Sequence, residues 1–293
     1  MTAPPDNDVL RARGVHYAYG GSPALQGVSL GVRAGEIVSV TGPRGGGKTT
    51  LLQCLSGQLR PRDGEVWWGD VPLHRLRRAQ RKRLLRDRFG WIGSAPQLVP
   101  ELTAWENAAL PLLLAGAGQR AARSTAREWL HRLDVGDCAA RRPAALLQSQ
   151  RQRVAVARAL AASPAVLFAD EPAAVLHQQE RALVLRTLTA AARSHGITVV
   201  LTGHEPGVTL PTVPPGDPYG PVAAGPLLAD RLLTLVDGRL HGRTEPDPPT
   251  SRDAYGASEG AAGDGAGHAD EGAGSGSSDD AEGSEGAACS LSV

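Results

Sequence analysis

The segment Gly42-Pro43-Arg44-Gly45-Gly46-Gly47-Lys48-Thr49 joins a run of glycines to a lysine and a hydroxyl. This is the G-x-x-x-x-G-K-[ST] pattern, whose chemistry is the holding of phosphate. Glycines let successive backbone N–H groups turn toward anionic oxygens, and a helix starting there adds partial positive charge. Lys48 reaches the β- and γ-phosphates, and the Thr49 hydroxyl ligates magnesium. A glycine-rich turn is the plainer explanation in a chain with 36 glycines among 293 residues. The lysine weighs against it, because Lys48 and Lys82 are the only lysines beside 29 arginines. A compact ammonium and a broad guanidinium are not interchangeable where geometry is tight.

Phe168-Ala169-Asp170-Glu171-Pro172 closes an apolar run with two acids. Strand-end acids often do no more than cap the next helix. Downstream of a phosphate-binding loop their expected tasks are different: Asp170 holds magnesium, usually through water, and Glu171 polarises the attacking water. His204 ends the next apolar run, where it is placed to contact the γ-phosphate. As a lone histidine it would mean little.

The elements that must position these residues are legible as short apolar runs. Glu36 to Gly42, Ala165 to Asp170 and Ile197 to Gly203 lack the alternation of a half-buried strand, as expected of parallel strands covered on both faces. Helical patterns separate them, at Thr49 to Ser56 and Gln179 to Arg193, while Glu106 to Leu160 is almost strand-free and rich in Ala, Leu and Arg. An α/β core carrying a helical insert at about residues 95–160 follows.

The bulk properties fit one domain with an appendage. The longest apolar stretch, around Ala108 to Gly118, is interrupted by Pro111 and Gly116 and falls short of the roughly 20 residues of a membrane span. The first ten residues lack the basic and apolar regions of a signal peptide. Cys54, Cys138 and Cys289 are odd in number and widely spaced, which suggests neither a disulfide framework nor a zinc site and suits a reducing cytoplasm. The net charge of +1 is uneven, since residues 241–293 hold 11 acids and 2 arginines. From about His241 onward the chain is Gly, Ala, Ser, Asp and Glu and reads as a disordered acidic tail. Residues 207–226, with VPPGDPYGP, read as an irregular insertion.

These parts in this order resemble the ABC transporter ATPase family, from about Leu10 to Arg239, with a domain over residues 7–240. Tyr19, in HYAYGG, falls where the family keeps an aromatic that stacks on adenine, and ALQGVSLGVRAGEIVSVTGP follows the family's approach to the P-loop. LVPELTAWENAALPLLL (Leu98 to Leu114) looks like the lipoprotein-release and macrolide-export branch, the LolD and MacB type. QRQRVAVARAL (Gln150 to Leu160) is similar to the helix after the family signature, and VDGRL (Val236 to Leu240) to its closing hairpin. The resemblance implies a P-loop NTPase α/β core with an antiparallel β subdomain and an inserted α-helical subdomain. It also implies ATP and Mg2+ as cofactors, bound by Tyr19, Gly42 to Thr50 (Thr50 included) and Asp170.

The signature itself departs from the family. With Gln150 to Leu160 fixing the register, LSGGQ falls on Leu146-Leu147-Gln148-Ser149-Gln150, so the serine has become leucine and both glycines are gone. In the family this loop grips the γ-phosphate of ATP on the opposite subunit, through a hydroxyl and a closely approaching backbone. Leu147 has no hydroxyl and Gln148 cannot approach as glycine does; Ser149 would have to supply the donor from two positions away. Ser94 stands where the family has a glutamine, with Gln97 three residues too late to replace it. His177 stands where it has an aspartate. Arg44 occupies a usually small P-loop position, where it either pairs with phosphate or crowds it.

The implied protein is an ATP-hydrolysing subunit of a bacterial transporter. It is expected in the cytoplasm on the inner face of the cell membrane, serving an FtsX- or MacB-like permease. A second ATPase subunit completes it, either a copy of itself or a different chain with an intact signature. The alternative is a catalytically weak homodimer in which ATP regulates. Soluble ABC proteins of ribosomes or DNA normally need two cassettes in one chain or a long coiled coil, and neither is present. The basic run Arg75 to Arg88 lacks the interleaved aromatics of a nucleic-acid surface and reads as a solvated helix face, one that could also attract the acidic tail.

Overall fold

The structure, a computed structural model, describes residues 8–203 and 229–244. His204, the 207–226 insertion and the tail beyond residue 244 lie outside the described residues.

Two sheets organise the chain. The first is antiparallel, in the order β2-β1-β4-β5, from β1 (Asp8–Tyr19), β2 (Ser22–Arg33), β4 (Asp63–Trp68) and β5 (Val71–Pro72). The second, in the order β10-β9-β3-β8-β7-β6, contains β3 (Ile37–Thr41), β6 (Phe89–Ile92), β7 (Val166–Ala169), β8 (Thr198–Gly203), β9 (Arg231–Val236) and β10 (Arg239–Thr244). Its strands run parallel except β10, which pairs antiparallel with β9. The three apolar runs are therefore β3, β7 and β8, each one or two residues shorter than the sequence pattern. The tail boundary moves: His241 already lies in β10, which continues to Thr244, because pairing to β9 orders residues whose own composition carries no strand signal.

Why those runs do not alternate is visible in what covers them. Val38, Val40, Val166, Phe168 and Val200 face one apolar core with the antiparallel sheet and α1 (Lys48–Leu55). Ile37, Leu167, Ala169, Val199 and Leu201 face the other, built with the helical insert and α6 (Gln178–His195). A strand with no wet face has no polar position to alternate with. Phe168, fully buried, meets Phe89 at 5.4 Å and Trp91 at 6.2 Å between ring centroids.

Between β6 and β7 lie α3 (Ala104–Leu114), α4 (Gln119–Arg132) and α5 (Gln148–Ala161), and no helix among the described residues is long and apolar enough to cross a membrane. The basic run forms α2 (Arg78–Asp87), none of whose residues is buried. Helix α3 begins with a reciprocal cap: Thr103 N donates to Glu106 Oε2 at 2.8 Å, and Glu106 N donates to Thr103 Oγ1 at 3.4 Å. The Thr103 hydroxyl and backbone N–H, both bonded to the carboxylate, hold Glu106 below its ordinary pKa of 4.5. A depressed carboxylate stabilises the fold above its unfolded pKa, and that stability is lost as pH falls through the folded value. Thr103→Ala should cost about 1 kcal/mol at neutral pH. In urea titrations the gap from wild type should narrow below pH 4.5.

Candidate active site

The P-loop joins β3 to α1 and is shaped by its neighbours as much as by its own glycines. Gly42 has φ 150° and Gly47, which caps α1, has φ 97°. A Cβ on Gly42 would collide with the Leu235 carbonyl of β9, and one on Gly47 with the Ala24 carbonyl of β2. The turn between β9 and β10, Asp237-Gly238, docks on the loop from the other side. Gly238 N donates to Gly46 O at 3.2 Å, while Gln26 N donates to Gly238 O at 2.8 Å and Gln26 Nε2 to Asp237 O at 2.9 Å. Sequence reasoning missed this support; its only local trace is the Asp-Gly pair, which suits a two-residue hairpin turn with positive φ at both positions.

Lys48 is buried, and its ammonium donates to the carbonyls of Gly42 and Pro43, both at 2.9 Å, with Glu171 Oε1 at 3.6 Å. Thr49 Oγ1 donates to Asp170 Oδ2 and Thr202 Oγ1 to Asp170 Oδ1, each at 2.8 Å. Asp170 is thus a buried carboxylate with a hydroxyl donor on each oxygen. The Thr202 hydroxyl also accepts from Glu171 N at 3.0 Å, at a residue held at φ 49°. A non-glycine residue in that region signals a backbone fixed by its surroundings. Thr202 was missed by the sequence reading; the signal was a hydroxyl inside the otherwise apolar β8, beside the strand that ends in the acids.

These groups open onto one cavity of about 1020 Å3, lined by Tyr19, Arg44, Lys48, Thr49, Glu171 and Thr202 among others. Gly45, Gly47, Pro43 and Thr50 line it too. Tyr19 is 51% exposed and packs edge-on against Tyr17 at 4.9 Å, so its ring is held yet leaves surface for another flat group. The cavity presents an ammonium and a glycine-rich helix start beside the Glu171 carboxylate, with Asp170 behind the Thr49 and Thr202 hydroxyls: chemistry for a polyphosphate and a hard cation.

The signature segment is elsewhere. Leu147 caps α5, is 69% exposed and offers its N–H to Gln150 Oε1 at 2.9 Å. None of residues 146–150 lines the cavity. Ser94 and His177 are also exposed. Gln97, the candidate replacement for Ser94, engages α5 through its carbonyl, which accepts from Arg158 at 2.7 Å.

The profile of the family described as ABC transporter matches residues 25–174, about half the chain, from β2 through both acids. The chain belongs to the ABC transporter ATP-binding family. The cassette is 37% identical over 235 residues to an uncharacterised ABC transporter ATP-binding protein of Mycobacterium tuberculosis, covering 80% of this chain but 66% of the relative, just under two thirds of its length. A relative named lipoprotein-releasing system ATP-binding protein LolD, from Paramagnetospirillum magneticum, is 38% identical over 182 residues, covering 62% of the cassette and 80% of the relative. Among solved structures the cassette superposes on the ATP-binding cassette MJ0796, described as a dimeric post-hydrolysis state bound to ADP and Pi. The TM-score is 0.70 and the identity 28%, over 80% of this chain and 98% of that one.

Proposed function

We propose that the cassette binds Mg-ATP in the P-loop cavity and hydrolyses it as a cytoplasmic subunit on the inner face of the membrane. There it drives a separate FtsX- or MacB-like permease of the lipoprotein-release or macrolide-export type. The observation that carries this is the convergence of Lys48, Thr49 and Glu171 on one cavity beside Tyr19, with Asp170 bonded to Thr49 behind the cavity wall. The Lys48 ammonium has three donors and is held by two loop carbonyls at 2.9 Å, so it is already aimed across the loop. Tyr19 stacks the adenine, Gly42 to Thr50 wrap the phosphates, and Glu171 orients and polarises the attacking water.

The Thr49 hydroxyl and the Asp170 carboxylate, 2.8 Å apart, form the hard oxygen donor set that Mg2+ prefers. Bound there, Mg2+ would neutralise charge developing on the phosphate oxygens. Thr202 keeps Asp170 and the backbone of Glu171 in register. His204, outside the described residues, is assigned the γ-phosphate.

The exposed Leu147 supports a second cassette as partner rather than a self-sufficient homodimer. In a homodimer both sites would face a signature without its hydroxyl; opposite an intact signature, this P-loop completes one working site. The deciding experiment is steady-state Mg-ATP turnover by the purified chain, with equilibrium nucleotide binding on the same preparation. Binding with turnover far below that of an ordinary cassette is expected. Turnover comparable to an ordinary cassette would remove the need for an unlike partner, and absence of binding would sink the reading altogether.

A further inference from the structure

Helix α5 carries one polar side chain that reaches into the nucleotide-binding core, and no task assigned so far uses it. Gln152 is fully buried in a helix whose next buried positions are Arg153, which turns away to Asp134 and Glu180, and then Val154, Ala155 and Val156. Its Nε2 donates one hydrogen to Gly93 O and the other to Pro172 O, both at 2.9 Å. Both neighbours are carbonyl oxygens, which cannot donate, so the orientation of the amide is fixed by the network. Its Oε1 is buried and has no hydrogen-bond partner among the described residues.

That imbalance is informative. A leucine would spare the cost of an unpaired buried acceptor, so retaining glutamine makes sense for its two donors. Each donor lands beside a different part of the site. Gly93 follows β6 and precedes Ser94, and Pro172 follows Glu171 directly. The two segments are themselves joined, since Asp170 N donates to Ile92 O at 2.7 Å. Five residues back along α5, a rise of about 7.5 Å, stands Leu147 at the signature position.

We infer that Gln152 is a positioning residue that couples the signature end of α5 to the two segments flanking the hydrolytic carboxylates. This deepens the ATP-site reading and rests on it. Two short bonds from one rigid side chain mean that α5 cannot shift without moving Gly93 and Pro172, or without breaking both bonds. Coupling between two sites is reciprocal. Nucleotide at the P-loop should therefore be felt at Leu147 even in the isolated chain, although residues 146–150 do not line the cavity. Arg158, which donates to Gln97 O at 2.7 Å, also ties α5 to the segment after β6, but among the described residues it makes no hydrogen bond to β7 or to the acids that follow it.

The test is amide hydrogen exchange on the full chain with and without Mg-AMPPNP, comparing peptides over 42–50, 93–98, 147–152 and 172–176. The variants are Gln152→Leu and the equally long Gln152→Met. In the wild type nucleotide should slow exchange in the P-loop and alter it at 147–152. In both variants the P-loop response should persist while the response at 147–152 shrinks about fivefold or more. An undiminished response at 147–152 in either folded variant overturns the inference, as does a wild type that responds at the P-loop alone. Loss of the P-loop response in both variants would make Gln152 a general structural residue and also overturns it. No P-loop response in the wild type would be the failure of the ATP-site reading itself.

Discussion

Replacing Leu147, Gln148 and Ser149 by Ser, Gly and Gly is expected to raise Mg-ATP turnover by the purified chain about 100- to 1,000-fold, the usual worth of one preorganised donor to a developing oxyanion. The substitution returns a hydroxyl to the N-cap of α5 and removes two side chains that, on the reading proposed above, would keep a partner's phosphate from the helix start. Its structural cost is small. Leu147 is 69% exposed, so it buries little apolar area, and the glycines fall in the first turn of α5, where each costs no more than about 1 kcal/mol. Adding Glu171→Gln to the same variant should return turnover to background, which separates a restored site from a contaminating ATPase. Unchanged turnover in the triple variant, with nucleotide still bound, would shift the defect to Ser94 or His177.

Gly47→Ala should abolish nucleotide binding and lower the melting temperature by about 5 °C or more. The φ of 97° at Gly47 strains any L side chain by about 1–3 kcal/mol. In a domain of this size each kcal/mol moves the midpoint by about 2–4 °C. Strain is only part of it, since the new methyl would meet the Ala24 carbonyl of β2, and the loop would have to leave the conformation that places Lys48. Gly45→Ala is the control. Gly45 has φ 77°, but a methyl there meets nothing within 4 Å, so it should carry the strain and not the collision. Nucleotide titrations and thermal unfolding of the two variants side by side would distinguish the effects. Equal losses in both would mean that backbone strain alone governs the loop.

Arg44 and Ser94 bear on both results. Arg44 lines the cavity beside Lys48, adding positive charge where phosphate is expected. Ser94 is exposed one residue beyond Gly93, whose carbonyl α5 holds. A short hydroxyl there reaches less far than the glutamine it replaces, which is one more reason to expect low turnover from the unmodified chain.

The chemistry of this protein was largely legible in its sequence because it is written in local patterns. Glycines before Lys48, two acids after a buried run, and the helix register from Gln150 to Leu160 each need only a few consecutive residues to be recognised. Strands covered on both faces declare themselves by the missing alternation, and β3, β7 and β8 fall within the apolar runs. The same register places Leu147 at the signature position, and with it the expected gap in the catalytic machinery.

What only the tertiary structure decided is which distant residues hold those local pieces in place. Thr202 bonds Asp170 because β8 lies between β3 and β7, an order that no run of consecutive residues encodes. The Asp237-Gly238 turn braces Gly46 because β9 pairs with β3 from the far end of the domain. His241 joined a strand against its composition, since a partner's hydrogen bonds outweigh weak local preference. Gln152, one polar residue in a helix read as apolar and basic, became a link between two strand ends only when α5 packed across them. Local sequence fixes what each segment can do; sheet order and helix packing fix what it touches, because those contacts are selected by burial across the whole domain rather than by neighbours along the chain.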